Sequence, residues 1–287
     1  MSFVKLLVPL IGDNSDAVAL ATAIAAARPF GAHVQGLFVC GDPAAALPLM
    51  GEGVPTAMMA EIVSATEKAI TEMSGRAKTS LEAAAQAAGL AVTAAPEKHD
   101  AVTLSWRSAE GYFADEVLRA SLTADMVVFG PLASAIHPSL SEAFEETLMK
   151  SGRPVLLSPE AGVAVFPKRI ALGWDGSVPA ARAVSAALPY LTHAEHVDVL
   201  AISHDKAPDG LDDLCTYLKM HGVATTAKAI DAANRPIGAV LLEAASAGGA
   251  GALVLGAYGH SRVTQFLFGG VTRHVISHAN IPLLLAH

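Results

Sequence analysis

Short apolar runs alternate with Ala-rich or polar stretches along this chain, and the alternation predicts its elements. Val4–Pro9, His33–Val39, Ala101–Trp106, Met126–Phe129 and Val155–Leu157 are short, bounded by turn residues and rich in branched side chains, so they read as strands. Between them, helices are predicted near Asp16–Ala27, within Pro55–Ala88, near Tyr112–Ser121 and near Glu142–Lys150. The run SLEAAAQAA favours the long second helix, and Gly89 supplies its stop.

The second half repeats the order. Strands are predicted at Ile170–Gly173, Val197–Ile202, Thr225–Ile230, Leu253–Leu255 and Leu283–Leu285, with a shorter helix near Leu211–His221 in the place of the long one. KLLVPLIGDNSDAVAL (5–20) matches RIALGWDGSVPAARAV (169–184), ADMVVFG (124–130) matches AGALVLG (250–256), and GRPVLLSP (152–159) matches NIPLLLAH (280–287). Apolar strands alternating with helices indicate parallel sheets covered on both faces. The expectation is an α/β chain of two tandem, doubly wound, Rossmann-like units, each a parallel five-stranded sheet. Their boundary falls in PEAGVAVFPK (159–168), giving residues 1–160 and 166–287.

Composition narrows the partners. With 287 residues, 52% hydrophobic and 16% charged, the chain can bury two cores. A net charge of −8 argues against general nucleic-acid binding, which draws on Lys and Arg. Cys40 and Cys215 share no motif and read as small buried hydrophobes in a reducing compartment. The opening MSFVKLLVPLIGDN reads as a strand rather than a signal peptide, and no apolar run reaches membrane-spanning length. A cytoplasmic protein without membrane contact is expected.

In open parallel sheets ligands bind beyond the carboxyl ends of the strands, where strand order reverses. In the second half that place is served by Gly173-Trp174-Asp175-Gly176-Ser177 and by GAYGHSRVTQFLFGGVTRHV (256–275). Gly256 and Gly259 would let the backbone turn and approach a ligand, and Gly269-Gly270 would bare the first N–H groups of the next helix for a phosphate. That helix start carries no acid, and Thr272 and Arg273 add a hydroxyl and a positive charge. Asp175 suits a ribose hydroxyl or an exocyclic amine, and His260 is a candidate phosphate contact.

The first half departs at each point. Ile11 aligns with Asp175, and GPLASAIHPSLSEAFEETLMK (130–150) replaces the glycine loop, with Ser141 and Glu142 opposite Gly269 and Gly270. Ser139-x-x-Glu142 resembles a capping box, and Glu142, Glu145 and Glu146 load the helix start with negative charge. This half is expected to lack the phosphate site.

At these residues the chain resembles the universal stress protein family in its tandem form. The family's ATP-binding members carry G-x2-G-x9-G followed by Ser or Thr; Gly256-x2-Gly259-x9-Gly269 matches that spacing, and Gly270 stands in the Ser/Thr place. The resemblance implies the adenine-nucleotide α-hydrolase-like fold and an ATP, ADP or AMP ligand, with Mg²⁺ a candidate companion. It assigns Asp175 to the adenosine, Ile202 to an apolar adenine wall and Val271 to the motif's trailing position. It also implies that the last strands, Val155–Leu157 and Leu283–Leu285, pair as an internal pseudo-dimer, with a homodimer left open.

Other clusters are weaker. His274 and His278 lie four apart without a third ligand and read as helix-face residues; His193 and His196 read as a solvated turn. Met50, Met58 and Met59 fit ordinary packing, and the acidic stretch 203–213 fits a solvated loop. No nucleophile–base pair or metal triad is visible, so neither a catalytic residue nor a metal site is assigned. The expected activity is regulation by nucleotide occupancy, with any hydrolysis slow. The alternatives are a slow nucleotide hydrolase or transferase on the same fold, and a scaffold or apolar-ligand binder without nucleotide.

Overall fold

The computed structural model describes residues 2–46, 56–96, 101–132, 138–204, 208–257 and 270–287. In the first half the elements are β1 (Lys5–Leu10), α1 (Ser15–Ala27), β2 (His33–Cys40), α2 (Thr56–Ala88), β3 (Ala91–Thr93), β4 (Thr103–Glu110), α3 (Phe113–Ser121), β5 (Met126–Phe129), α4 (Pro138–Lys150) and β6 (Val155–Leu157). In the second half they are β7 (Arg169–Gly173), α5 (Val178–Leu191), β8 (His196–Ser203), α6 (Leu211–Met220), β9 (Thr225–Asp231), α7 (Ile237–Ala247), β10 (Ala252–Gly256), α8 (Gly270–His278) and β11 (Leu283–Ala286).

The strands of both halves join in one 11-stranded sheet ordered β3-β4-β2-β1-β5-β6-β11-β10-β7-β8-β9. Each strand pairs in parallel with its neighbour inside its own half. The seam is different: β6 and β11 pair antiparallel, Leu157 facing Leu283 and Val155 facing Leu285. These are the two strands that the resemblance brings together. β3 is a short, mostly exposed edge strand that the apolar pattern does not announce.

Parallel strands are buried on both faces, and the two faces make two apolar layers that run across the seam. One layer holds side chains of α1, α2, α5 and α6 (Leu20, Leu81, Val184, Leu218), the other those of α3, α4, α7 and α8 (Val117, Phe144, Leu241, Val275). Although α2 is 33 residues long, its fully buried positions are Ala77, Leu81 and Ala85, a single stripe at four-residue spacing. Among the described residues no helix is long and apolar enough to cross a membrane.

Two sequence readings change here. His196 is the half-buried first residue of β8, with Nε2 3.6 Å from the buried Asp198, which Lys228 also meets at 2.9 Å. The helix read from Glu142 begins at Pro138, so Ser139 lies inside its first turn and is not the cap of a capping box. Proline suits that place because the first helical N–H has no intrahelical partner.

Candidate functional site

In the second half β7 lies between β10 and β8, so the chain leaves β7 toward one neighbour and returns on the other side. Parallel connections place the ends of β7, β8 and β10 and the start of α8 at the same end of the sheet. Asp175, Ile202, Gly256, Gly270, Val271 and Thr272 therefore converge there. Gly259, His260 and Gly269 lie outside the described residues.

Trp174 extends β7 by donating its main-chain N–H to Leu200 at 2.9 Å. The turn that follows is built by side chains. Asp175 Oδ1 accepts the N–H of Ser177 at 3.0 Å, and Ser177 Oγ accepts the N–H of Ala180 at 3.2 Å as the N-cap of α5. Gly176 has a φ of +74°, a left-handed conformation that favours glycine. Asp175 is exposed, whereas Ile202, the last residue but one of β8, is buried in the apolar layer.

The two glycines of the motif that are described serve different ends. A Cβ on Gly256 would stand 2.3 Å from the main-chain N of Ala180, so this glycine is needed for the contact between β10 and the start of α5. The sequence reading gave it a ligand approach; the backbone that approaches is that of α5. A Cβ on Gly270 would meet none of the described residues within 4 Å. Gly270 is exposed and opens α8, whose first turn carries no acidic residue, and α5 has none in its first turn either. Bare N–H groups and the positive end of a helix dipole favour an anion at such a start. Val271 is half-buried against the apolar layer. Thr272 is buried, so its hydroxyl does not share the opening at Gly270.

In the first half the turn after β1 is held by the chain's own side chains. Asp16, in the first turn of α1, reaches back so that Oδ1 accepts the N–H of Ile11 and Oδ2 that of Gly12, both at 2.9 Å. Burial pushes its carboxyl up to about 6, against the pull of those two N–H groups. Arg76 Nε donates to the carbonyl of Gly12 at 2.8 Å, and a Cβ on Gly12 would stand 2.4 Å from the carbonyl O of Met73. Thus α2 lies directly on the β1–α1 turn. At the other wall stands α4, with Glu142, Glu145 and Glu146 along it. Glu142 accepts the Tyr112 hydroxyl at 2.5 Å, and burial together with Glu142 and Glu146 pushes the Glu145 carboxyl up. Asp16 was missed in the sequence; its signal is that the aligned residue in the second half is Ala180.

Among the described residues no group of three His, Cys, Asp or Glu side chains is placed to hold a metal ion. His274 and His278 stack at 4.2 Å along α8, and His278 Nδ1 lies 2.9 Å from the carbonyl of His274.

The sequence profile described as Universal stress protein family matches residues 167–287. Over its full length the chain is similar in fold to a universal stress protein from Archaeoglobus fulgidus DSM 4304. That likeness has a TM-score of 0.67 at 16% identity and covers 98% of this chain and 95% of that one. It is also similar to a functionally unknown protein from Pseudomonas aeruginosa PAO1, with a TM-score of 0.53 at 14% identity, covering 99% and 92%. No curated protein matches the sequence. The second half of the chain is a universal stress protein domain, and the whole chain has the fold of tandem proteins of that kind.

Proposed function

We propose that this chain is an adenine-nucleotide-binding universal stress protein that holds one ATP, ADP or AMP in its second half and acts through that occupancy. One observation carries the reading: the first turn of α8, from Gly270, has no acid and, among the described residues, nothing packed on Gly270, and it lies at the same end of the sheet as the ends of β7 and β10 and the exposed Asp175. These residues suit the ligand. The start of α8 would take a phosphate, Asp175 a ribose hydroxyl or the adenine amine, and Ile202 one face of the base, while Gly259, His260 and Gly269 complete the motif in sequence. The first half, residues 1–160, does not bind nucleotide in this reading, because Asp16 takes the N–H groups of the turn, Arg76 holds its carbonyl, and Glu142, Glu145 and Glu146 of α4 bring negative charge.

The test is direct. Purified protein is denatured and the released small molecules are chromatographed; adenine nucleotide, about one per chain, is expected. Calorimetric titration with ATP should show one site, and Asp175→Ala should weaken it by at least about tenfold, the loss of a hydrogen bond to a charged group. No released nucleotide together with no heat at millimolar ATP overturns the proposal, as does an Asp175→Ala variant that binds like the parent. Multiple turnover near one per second, in the ordinary enzyme range, would replace regulation by catalysis.

A further inference from the structure

The first half carries a cavity of about 440 Å³ where its strands end, within the usual size of small-molecule sites, which is about 300–1,000 Å³. Its floor is Leu10, Ile11, Phe38 and Val39, all buried side chains at the carboxyl ends of β1 and β2. Its roof is the underside of α2, through Ile70 and Met73. Methionine adapts its shape to an apolar occupant at little cost.

The polar groups at the mouth set the charge of what enters. Asp42 and Ser139 line the cavity together with Tyr112, whose ring is 56% exposed and whose hydroxyl is held by Glu142. The main-chain N–H groups of Ile11 and Gly12 are taken by Asp16 and cannot serve an anion. An apolar cavity with the Asp42 carboxylate at its rim, beside a turn whose N–H groups are already taken, admits uncharged or cationic molecules and disfavours phosphates, sulfonates and carboxylates.

We propose that the first half is a binding site for a small, predominantly aromatic or polycyclic molecule without negative charge, seated between the ends of β1 and β2 and the underside of α2. Remodelling of the β1–α1 turn exchanged an anion site for an apolar one; Ile11, where the other half has Asp175, is the clearest mark of the exchange. This inference stands apart from the nucleotide reading, since it concerns the other half of the chain.

The experiment uses the full chain and two dyes that share a ring skeleton. N-phenyl-1-naphthylamine is uncharged, and 8-anilino-1-naphthalenesulfonate is its anionic counterpart. The uncharged dye should bind saturably at one site per chain, and the sulfonate at least about tenfold more weakly. Ile11→Asp places a charge in the floor, and Ala45→Trp, on an exposed turn at the rim, fills the cavity without touching the core. Each should weaken the uncharged dye by about tenfold or more, with thermal melting confirming that the variant folds. Millimolar ATP should not displace the dye, and Asp175→Ala should bind it like the parent. Unsaturable binding, equal affinity for both dyes, unchanged binding by a folded Ala45→Trp variant, or displacement by ATP would each overturn the assignment. The first three of these outcomes say nothing of whether ATP binds, which calorimetry reports separately.

Discussion

Tyr190 of α5 donates its hydroxyl to the main-chain carbonyl of Ala26 in α1 at 2.9 Å, joining the two halves across 164 positions of sequence. Its ring sits among Phe3, Phe30 and Phe166, with centroids at 5.1, 5.0 and 4.1 Å. Burial pushes the phenol well above its ordinary value, so the hydroxyl stays a donor at any physiological pH. Tyr190→Phe should lower unfolding stability by about 1–2 kcal/mol, the worth of a buried hydrogen bond with its acceptor left unpaired. Tyr190→Ala should lower it by about 3–5 kcal/mol, because a large ring leaves a cavity. Urea unfolding followed by circular dichroism measures both, and equal midpoints for parent and Tyr190→Ala would show that this cluster does not hold the halves together.

Gly256 and Gly270 belong to one motif, and substitution should separate them. Gly256→Ala forces a Cβ against the main chain of Ala180 and should cost about 1–3 kcal/mol. Gly270→Ala meets open space and should leave stability within about 0.5 kcal/mol of the parent. Thermal unfolding of the two variants side by side decides the matter; similar losses in both would mean that the start of α8 is as crowded as the end of β10.

Gly270→Ser supplies the hydroxyl that the resembled motif has in this place, where a Cβ meets none of the described residues. The added bond should strengthen nucleotide binding about three- to tenfold, close to 1 kcal/mol. Gly270→Glu should weaken it by repelling phosphate from the helix start. Calorimetric titrations of the two variants read opposite changes if phosphate sits there, and changes of the same sign if it does not.

Asp16 makes stability depend on pH in a defined direction. Its carboxyl rises from 3.8 to about 6 on folding, so between those values the folded chain binds more protons than the unfolded one. The stabilisation from the protonated group is complete below pH 3.8 and is lost as pH rises through about 6, a change on the order of 3 kcal/mol that is flat above it. Asp16→Asn does not titrate. The stability difference between parent and variant should therefore fall from pH 4 to pH 7, measured as urea midpoints; a difference that stays constant would place the carboxyl near its ordinary value.

The apolar runs at Met126–Phe129 and Leu283–Ala286 were legible because strands buried on both faces have no polar positions to obscure them. The edge strand β3 was not, since an exposed three-residue strand is held by β4 and not by its own pattern. The exposed Asp175 after β7 and the acid-free first turn of α8 follow from residue types. The purpose of Gly256 could not, because spacing along a chain does not say whose backbone comes near. The acids of α4 could be read from the sequence, but the residues that take up the β1–α1 turn, Asp16 and Arg76, could not, because they act from neighbouring helices, one of them 64 positions away.

The antiparallel seam between β6 and β11 has a further consequence. Every strand of one half runs opposite to every strand of the other, so the ends of β1 and β2 and the ends of β7 and β8 open at opposite extremities of the same sheet. Whatever docks over one extremity leaves the other uncovered, and two dissimilar molecules can be held by one chain without meeting. Any message between them must pass through the seam, where Glu145 of α4 and Arg273 of α8 line the same small cavity.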